Sequence, residues 1–187
     1  NDQRRDIESE MVEQAVTALL TDVQPERRTV VLHDERWHQG VIGIVAGRLK
    51  ERVWRPTFVI ARTESGTFKG SGRSIPGFHL RDALDLVDKR CPGVLERFGG
   101  HAMAAGATVA AGRIDEFAQA FETVARELLS AEALQQRLET DGALEAQEMT
   151  LQTVHELRAL VWGQGFPEPS FCDTFKVMGA RRLGEDG

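Results

Sequence analysis

At 187 residues the chain has room for one sizeable hydrophobic core, or for one domain and part of another. Its 41% hydrophobic and 28% charged residues argue against wholesale disorder, it has no apolar run long enough to cross a bilayer, and no secretion leader is expected. The net charge of −6 counts against a nucleic-acid partner, yet it conceals a run from Arg36 to Arg73 with eight basic residues against two acids, which leaves the rest of the chain strongly acidic.

The elements follow from periodicity. Residues 1 to about 20 place Ile7, Met11, Ala15 and Leu19 four apart among charged residues, the pattern of an amphipathic helix. It begins without a cap, so a helix continuing from a preceding segment is expected. Gln24-Pro25-Glu26 breaks it, and Thr29-Val30-Val31-Leu32 reads as a short buried strand. From Gln39 to Val53 the residues Ile42, Val45, Leu49 and Val53 recur at helical spacing, with Arg48 and Arg52 one turn apart on another face, and Pro56 stops the run. Thr57 to Ala61 and Thr67 to Ser74 read as strands joined at Gly66, and Leu80 to Lys89 as a helix closed by Cys91-Pro92-Gly93. Ala107 to Ala110 is a further strand, and Ile114, Phe117, Phe121, Val124 and Leu128 mark a strongly amphipathic helix. Alternating strands and helices predict a layered α/β domain over residues 29–130.

A second unit is expected after it. Leu138 to Leu144 and Phe171 to Val177 read as strands, Leu151, Val154, Leu157 and Leu160 form a helical stripe, and Arg181 to Gly187 resembles the start of a hairpin. The two cysteines, Cys91 and Cys172, lie far apart outside any C-x-x-C pattern and are expected as free thiols of a soluble, cytoplasmic protein with no membrane partner.

Three stretches carry chemistry. In Phe98-Gly99-Gly100-His101-Ala102-Met103-Ala104-Ala105-Gly106, consecutive glycines let backbone amides approach an anion while His101 adds a donor, and the small residues after it allow tight packing. That pattern fits a phosphate grip, while taken alone it fits better a tight turn before a helix with a buried histidine. In Lys69-Gly70-Ser71-Gly72-Arg73 a strand puts Lys69, Ser71 and Arg73 on one face as phosphate donors, and both glycines on the other, where a backbone can pack close. The alternative is an edge strand protected by charge. His33-Asp34-Glu35 and His38 invite a metal reading, but no other His/Asp/Glu cluster completes a ligand set, so no metal is assigned. His38-Gln39-Gly40 precedes the basic helix, where its amides either assist an anion site or form an ordinary helix start. The loop Trp162-Gly163-Gln164-Gly165-Phe166-Pro167-Glu168-Pro169 offers rings for stacking bases, though a structural loop closing a small barrel is the preferred reading. No nucleophile elbow, P-loop or Rossmann fingerprint occurs, so hydrolysis is not expected from this chain unaided.

Four ordered motifs carry a family resemblance that covers nearly the whole chain. Trp37 to Leu49, Arg55-Pro56, Gly70-Ser71-Gly72-Arg73-Ser74 and Phe98 to Gly106 together resemble the DHH-associated domain of the RecJ exonucleases in the DHH phosphoesterase superfamily. Asp141-Gly142, Trp162 to Pro169 and Phe171 resemble the beginning of that family's oligonucleotide-binding (OB) fold. The resemblance implies a connector over 1–28, a DHH-associated α/β domain with a mixed sheet flanked by helices over 29–130, and a truncated OB-like barrel segment over 131–187. It implies the substrate-binding part of a 5′-to-3′ exonuclease of DNA repair and recombination that acts on single-stranded DNA. Single-strand-binding protein or a helicase would be its protein partners. Mn2+ or Mg2+ would be held by a DHH domain that this sequence lacks. By the same resemblance Ser71 and Arg73 hold the terminal phosphate. Gly99, Gly100 and His101 face the active-site cleft, with His101 as the catalytic candidate, while Lys69, Arg48 and Arg52 guide the strand. Gly47 departs from the pattern, standing where a serine is expected. Two other readings remain: a DHH phosphoesterase of short oligonucleotides or cyclic dinucleotides, and a non-catalytic nucleic-acid-binding module similar to that of alanyl-tRNA synthetases.

Overall fold

The chain's apolar periodicities resolve, in a computed structural model that describes residues 10–17, 26–163 and 166–181, into two units that divide after Gln136. Ile7, Leu19, the Gln24-Pro25 break, Gln164-Gly165 and the hairpin expected beyond Arg181 lie outside the described residues. In the first unit helix α1 occupies residues 10–17, followed by β1 (Val30–Asp34), α2 (Ile42–Val53), β2 (Thr57–Arg62), β3 (Phe68–Arg73), α3 (Leu80–Arg90), β4 (Leu95–Gly100), β5 (Ala104–Val109) and α4 (Ile114–Leu128). The sheet order is β1-β2-β3-β5-β4; β1 and β2 are parallel and every other pair is antiparallel, so the predicted mixed sheet is present.

Strand β2 shows why the layers form. Its residues Phe58, Val59, Ile60 and Ala61 are all buried, and strand alternation sends them to two different cores. Phe58 and Ile60 join α3 and α4 on one face, while Val59 and Ala61 join α1 and α2 on the other. Phe58 sits edge-on to Phe117 and Phe121 of α4, with ring centroids 5.3 and 5.4 Å apart, the arrangement that aromatic quadrupoles favour.

Opposite Phe58 and Ile60, β3 carries Gly72 and Gly70. A Cβ on Gly72 would lie 2.5 Å from the Phe58 ring and 2.9 Å from Leu80, and one on Gly70 would lie 3.1 Å from that ring. These glycines therefore make room for an aromatic side chain, not for a neighbouring backbone as the sequence suggests. β3 is also interior to the sheet, so its charges are not edge protection.

Glu122 of α4 ties the incoming chain to the core. Its buried carboxylate accepts hydrogen bonds from the Arg28 and Thr29 amides (3.1 and 2.9 Å), the Thr29 hydroxyl (2.7 Å) and Arg126 Nε (2.7 Å). Trp54 closes α2 in the left-handed region (φ 50°), with its amide on the Lys50 carbonyl and its indole N–H on the Ala133 carbonyl.

Two expectations need correction. The sequence marks Phe98-Gly99-Gly100 as a glycine turn, whereas it is the end of edge strand β4, and the turn comprises residues 101–103, closed by the His101 amide on the Ala104 carbonyl (2.8 Å). Leu95-Glu96-Arg97-Phe98-Gly99-Gly100 has no β-branched residue, so only pairing with β5 makes it a strand. In the second unit, Leu138–Leu144 and Phe171–Val177 are not assigned as strands, and no closed barrel forms among the described residues. The two segments are joined by the Asp141 amide on the Ser170 carbonyl, the Cys172 amide on the Gly142 carbonyl and the Ser170 amide on the Asp141 carboxylate. Two short segments without further strands cannot bury a common apolar face, and no described residue of 137–181 is buried. Helix α5 (Leu151–Ala159) forms as predicted, but its Leu151, Val154 and Leu160 are exposed.

The turn after β1 is held by its own charges. The Asp34 carboxylate accepts from the Arg36 amide (2.8 Å), Nε (2.9 Å) and Nη2 (2.5 Å), and the Arg36 hydrogen bonds hold its pKa down to about 2. A depressed carboxyl stabilises the fold above its ordinary range and loses that contribution as pH falls through about 2. Carboxyl-detected NMR should find Asp34 titrating there, and Arg36→Ala should return it toward 3.8; an unchanged titration in the variant would refute the pairing. Urea unfolding supplies a second check on the glycines. Gly72→Ala should cost about 1–3 kcal/mol through overpacking. Gly47→Ala, whose Cβ meets nothing within 4 Å, should add roughly 1 kcal/mol of helix propensity.

Candidate nucleic-acid interface

The crossover from β1 through α2 to β2 lays α2 over β2 and β3 on one sheet face and leaves β5, β4 and the Lys69 end of β3 open on that side. The alternation of β3 turns Lys69, Ser71 and Arg73 to this same face, because Gly70 and Gly72 belong to the core face; Ser71 and Arg73 are half-buried beside α2 and Lys69 is exposed. Arg73 Nη1 donates to Ser71 Oγ (3.1 Å) and to the Gly72 carbonyl (2.9 Å). A Cβ on Gly43, in the first turn of α2, would fall 2.9 Å from Arg73 Nη2 and 3.1 Å from Ser71 Oγ. Guanidinium, hydroxyl and helix N-terminus thus converge on one place, and Gly43 is what lets them do so.

The electrostatics of this convergence favour an anion. Val41, at the N-cap of α2, contributes no side-chain cap, and the positive end of the helix dipole lies beside Arg73. Arg73 is hydrogen-bonded only to neutral oxygens, and no carboxylate pairs with it among the described residues. His38 shapes the approach to the helix: its Nδ1 accepts from the Gly40 amide and its carbonyl from the Val41 amide, both at 3.1 Å. Those two amides are therefore engaged in forming the helix start.

The register places the remaining candidates. Across the open face, Ser71 lies beside Gly106 and Gly106 beside Gly99, while Lys69 lies beside Thr108 and Thr108 beside Arg97. Gly100 is turned away, with φ 142° and no space for a Cβ, and serves the hairpin. His101 is exposed, which removes the buried-histidine reading. Its turn is fastened to the Arg73 end of β3 by the Ser74 amide on the Met103 carbonyl and the Leu80 amide on the Ala102 carbonyl, both 2.9 Å.

Arg48 and Arg52 are not brought to this place. At 3.6 residues per turn Arg52 lies half-way round α2 from Gly43, and Arg48 is displaced in the same direction. Within the basic run Arg36 pairs with Asp34, Lys50 with Glu51 and Arg62 with Glu35. Arg55 donates to the carbonyls of Arg27, Val53, Trp54 and Leu134. Much of the positive charge visible in the sequence is therefore structural. Sequence reasoning missed Gly43, Arg97 and Thr108. Arg97 becomes visible only once β4 is known to be a strand whose odd-numbered residues near its end share the open face.

The described residues do not fit a divalent metal. No group of three or more His, Cys, Asp or Glu side chains converges among them, and Asp34, Glu35 and His38 have the partners given above. Cys91 and Cys172 are free thiols, and no described helix is long and apolar enough to cross a membrane. In the second unit Trp162 stacks on Phe166 (centroids 5.1 Å apart) and donates to the Leu157 carbonyl, so the loop folds back on the end of α5.

Comparison with known proteins identifies the fold. The family model for the DHHA1 domain matches residues 11–127. Single-stranded-DNA-specific exonuclease RecJ of Dickeya dadantii is 45% identical over 190 residues, covering 99% of this chain and 33% of that protein. The Escherichia coli protein of the same name is 42% identical with the same coverage. The chain thus spans about a third of the length of these relatives. Among solved structures, RecJ from Thermus thermophilus in complex with Mn2+ superimposes with a TM-score of 0.74 at 30% identity, covering 91% of this chain and 24% of that one, and the same protein has been solved with Mg2+. With the matched segment running from α1 to the last turn of α4 and holding the whole sheet, the chain belongs to the DHHA1 domain family.

Proposed function

We propose that this chain is the substrate-binding part of a metal-dependent, single-stranded-DNA-specific exonuclease that works from the 5′ end in DNA repair and recombination. The observation that carries the reading is the convergence of Arg73, Ser71 and the N-terminal turn of α2 over Gly43. A terminal phosphate carries the charge and the several acceptor oxygens that such a place satisfies. Lys69, two residues along the same strand face, extends the positive surface for the following chain. His101, exposed at the Arg73 end, is the catalytic candidate and helps Ser71 and Arg73 hold a phosphate in line with the metals, and Gly99 lets the substrate backbone approach. Arg48 and Arg52 act at most as a long-range field from the far flank of α2.

Hydrolysis belongs to a divalent metal, Mn2+ or Mg2+, held by ligands of a DHH domain outside these residues. The DHHA1 residues bind and align the strand end so that the scissile phosphodiester sits in one place. Residues 131–187 supply the first part of an oligonucleotide-binding fold, a reading supported by the pairing of 141–142 with 170–172. The setting is cytoplasmic, where Cys91 and Cys172 stay reduced, and the partners include single-strand-binding protein or a helicase.

Fluorescence anisotropy with a labelled single strand, with and without a 5′ phosphate, tests the reading. The phosphorylated strand should bind more tightly, and Arg73→Ala should remove that preference, weakening binding by about tenfold. Ser71→Ala should act in the same direction and less strongly. Equal affinity for both strands, or an Arg73→Ala variant that keeps the preference, would reject the terminal-phosphate site.

A further inference from the structure

We infer that Lys69, Thr108 and Arg97 form a second phosphate subsite, one nucleotide along the strand from Ser71 and Arg73, with Gly99 and Gly106 as the bare floor between the two. The inference rests on the single-strand reading above and extends it to Thr108, Arg97 and Gly106, which that reading does not use.

The glycines are the first argument. Gly70 and Gly72 are required by Phe58, and Gly100 by its φ of 142° and a Cβ position only 2.5 Å from the Ala104 carbonyl oxygen. Gly99 and Gly106 have no such requirement. Neither has a positive φ; a Cβ on Gly99 would meet nothing within 4 Å, and one on Gly106 would make only an ordinary contact, 3.7 Å from the Gly70 carbonyl oxygen. Two neighbouring strand positions, paired across β4 and β5, thus forgo side chains that the fold would accept and that strand stability would favour. Their absence exposes flat peptide backbone beside Ser71, a surface on which a sugar or base can lie without a side chain in the way.

The charges are the second argument. One pleat further along, Lys69, Thr108 and Arg97 form the next row across three strands. Two residues of strand advance about 7 Å, which is the length of one nucleotide step, and the outer two strands of the row are about 10 Å apart. Lys69 and Arg97 therefore stand on either side of the Thr108 hydroxyl and can close on a phosphate from both flanks. Both cations are exposed and neither has a carboxylate partner among the described residues, in contrast to Arg36, Lys50 and Arg62. Glu96, displaced at the bulge of β4, makes no ion pair with Arg97. The row borders an open depression of about 270 Å3 that also includes Gly106.

NMR titration of the whole chain with thymidine 5′-monophosphate and with the 5′-phosphorylated thymidine dinucleotide tests this. The dinucleotide should bind about tenfold more tightly than the monophosphate and should alone shift the Gly99 and Arg97 amides. Arg97→Ala should reduce dinucleotide affinity to that of the monophosphate while leaving the monophosphate unaffected. With longer single strands the same variant should lower the slope of log affinity against log salt by about 0.7, the value for one lost phosphate contact. Gly99→Val should weaken the dinucleotide without lowering the melting temperature, which separates an occluded floor from a damaged fold. Unchanged dinucleotide binding in Arg97→Ala, or an equal loss for both ligands, would overturn the second subsite. A monophosphate indifferent to Arg73→Ala, with the dinucleotide still dependent on Arg97, would instead overturn the terminal-phosphate reading, and binding of neither ligand would overturn both.

Discussion

The packing of the Phe58 ring over Gly70 and Gly72 sets the two faces of the sheet. With the ring against Phe117 and Phe121 of α4, every even-numbered residue of β3 from Phe68 to Gly72 is committed to the core face. The odd-numbered residues then have no choice: Lys69, Ser71 and Arg73 must face the other way. A one-residue slip would drive an ammonium and a guanidinium into an aromatic core, at a cost of several kcal/mol for each buried charge, so the register is strongly specified. The same contact that closes the core therefore aims the candidate binding residues.

Topology decides what those residues meet. A single crossover helix can cover about two strands, and α2 covers β2 and β3 on its face. The rest is left with backbone, hydroxyls and cations, which suit water and anions rather than a helix. Gly43 marks the boundary. It brings the first turn of α2 close enough to Arg73 and Ser71 that partial positive charge from the helix adds to the full charge of the guanidinium. Charge in the basic run is otherwise largely consumed locally by Asp34, Glu35, Glu51 and backbone carbonyls, which explains how an acidic protein keeps a localised cationic surface.

The two units differ in what holds them. The first has two buried clusters and a buried Glu122 whose hydrogen bonds are all met, so its order is cooperative. The second has no buried residue among those described, and it is organised by local devices: the Thr150 cap of α5, the Trp162–Phe166 stack, and the bonds between 141–142 and 170–172. Such interactions contribute about 1 kcal/mol each and do not by themselves define a barrel.

Every helix that carries a strong apolar stripe, and each strand rich in β-branched or large apolar residues, is legible in the amino-acid sequence, because those patterns are local and repeat at 3.6 or 2 residues. So is the sharing of one face by Lys69, Ser71 and Arg73, and the grouping of Gly99, Gly100 and His101. Strand β4 is not, since it has no β-branched residue, ends in two glycines and acquires its conformation from β5. Nor does any local pattern show that Arg97 stands in line with Lys69, that Gly43 fits against Arg73, or that Arg48 and Arg52 turn away from them. Pairing partners and helix azimuth are long-range properties, settled in three dimensions by which surfaces bury together.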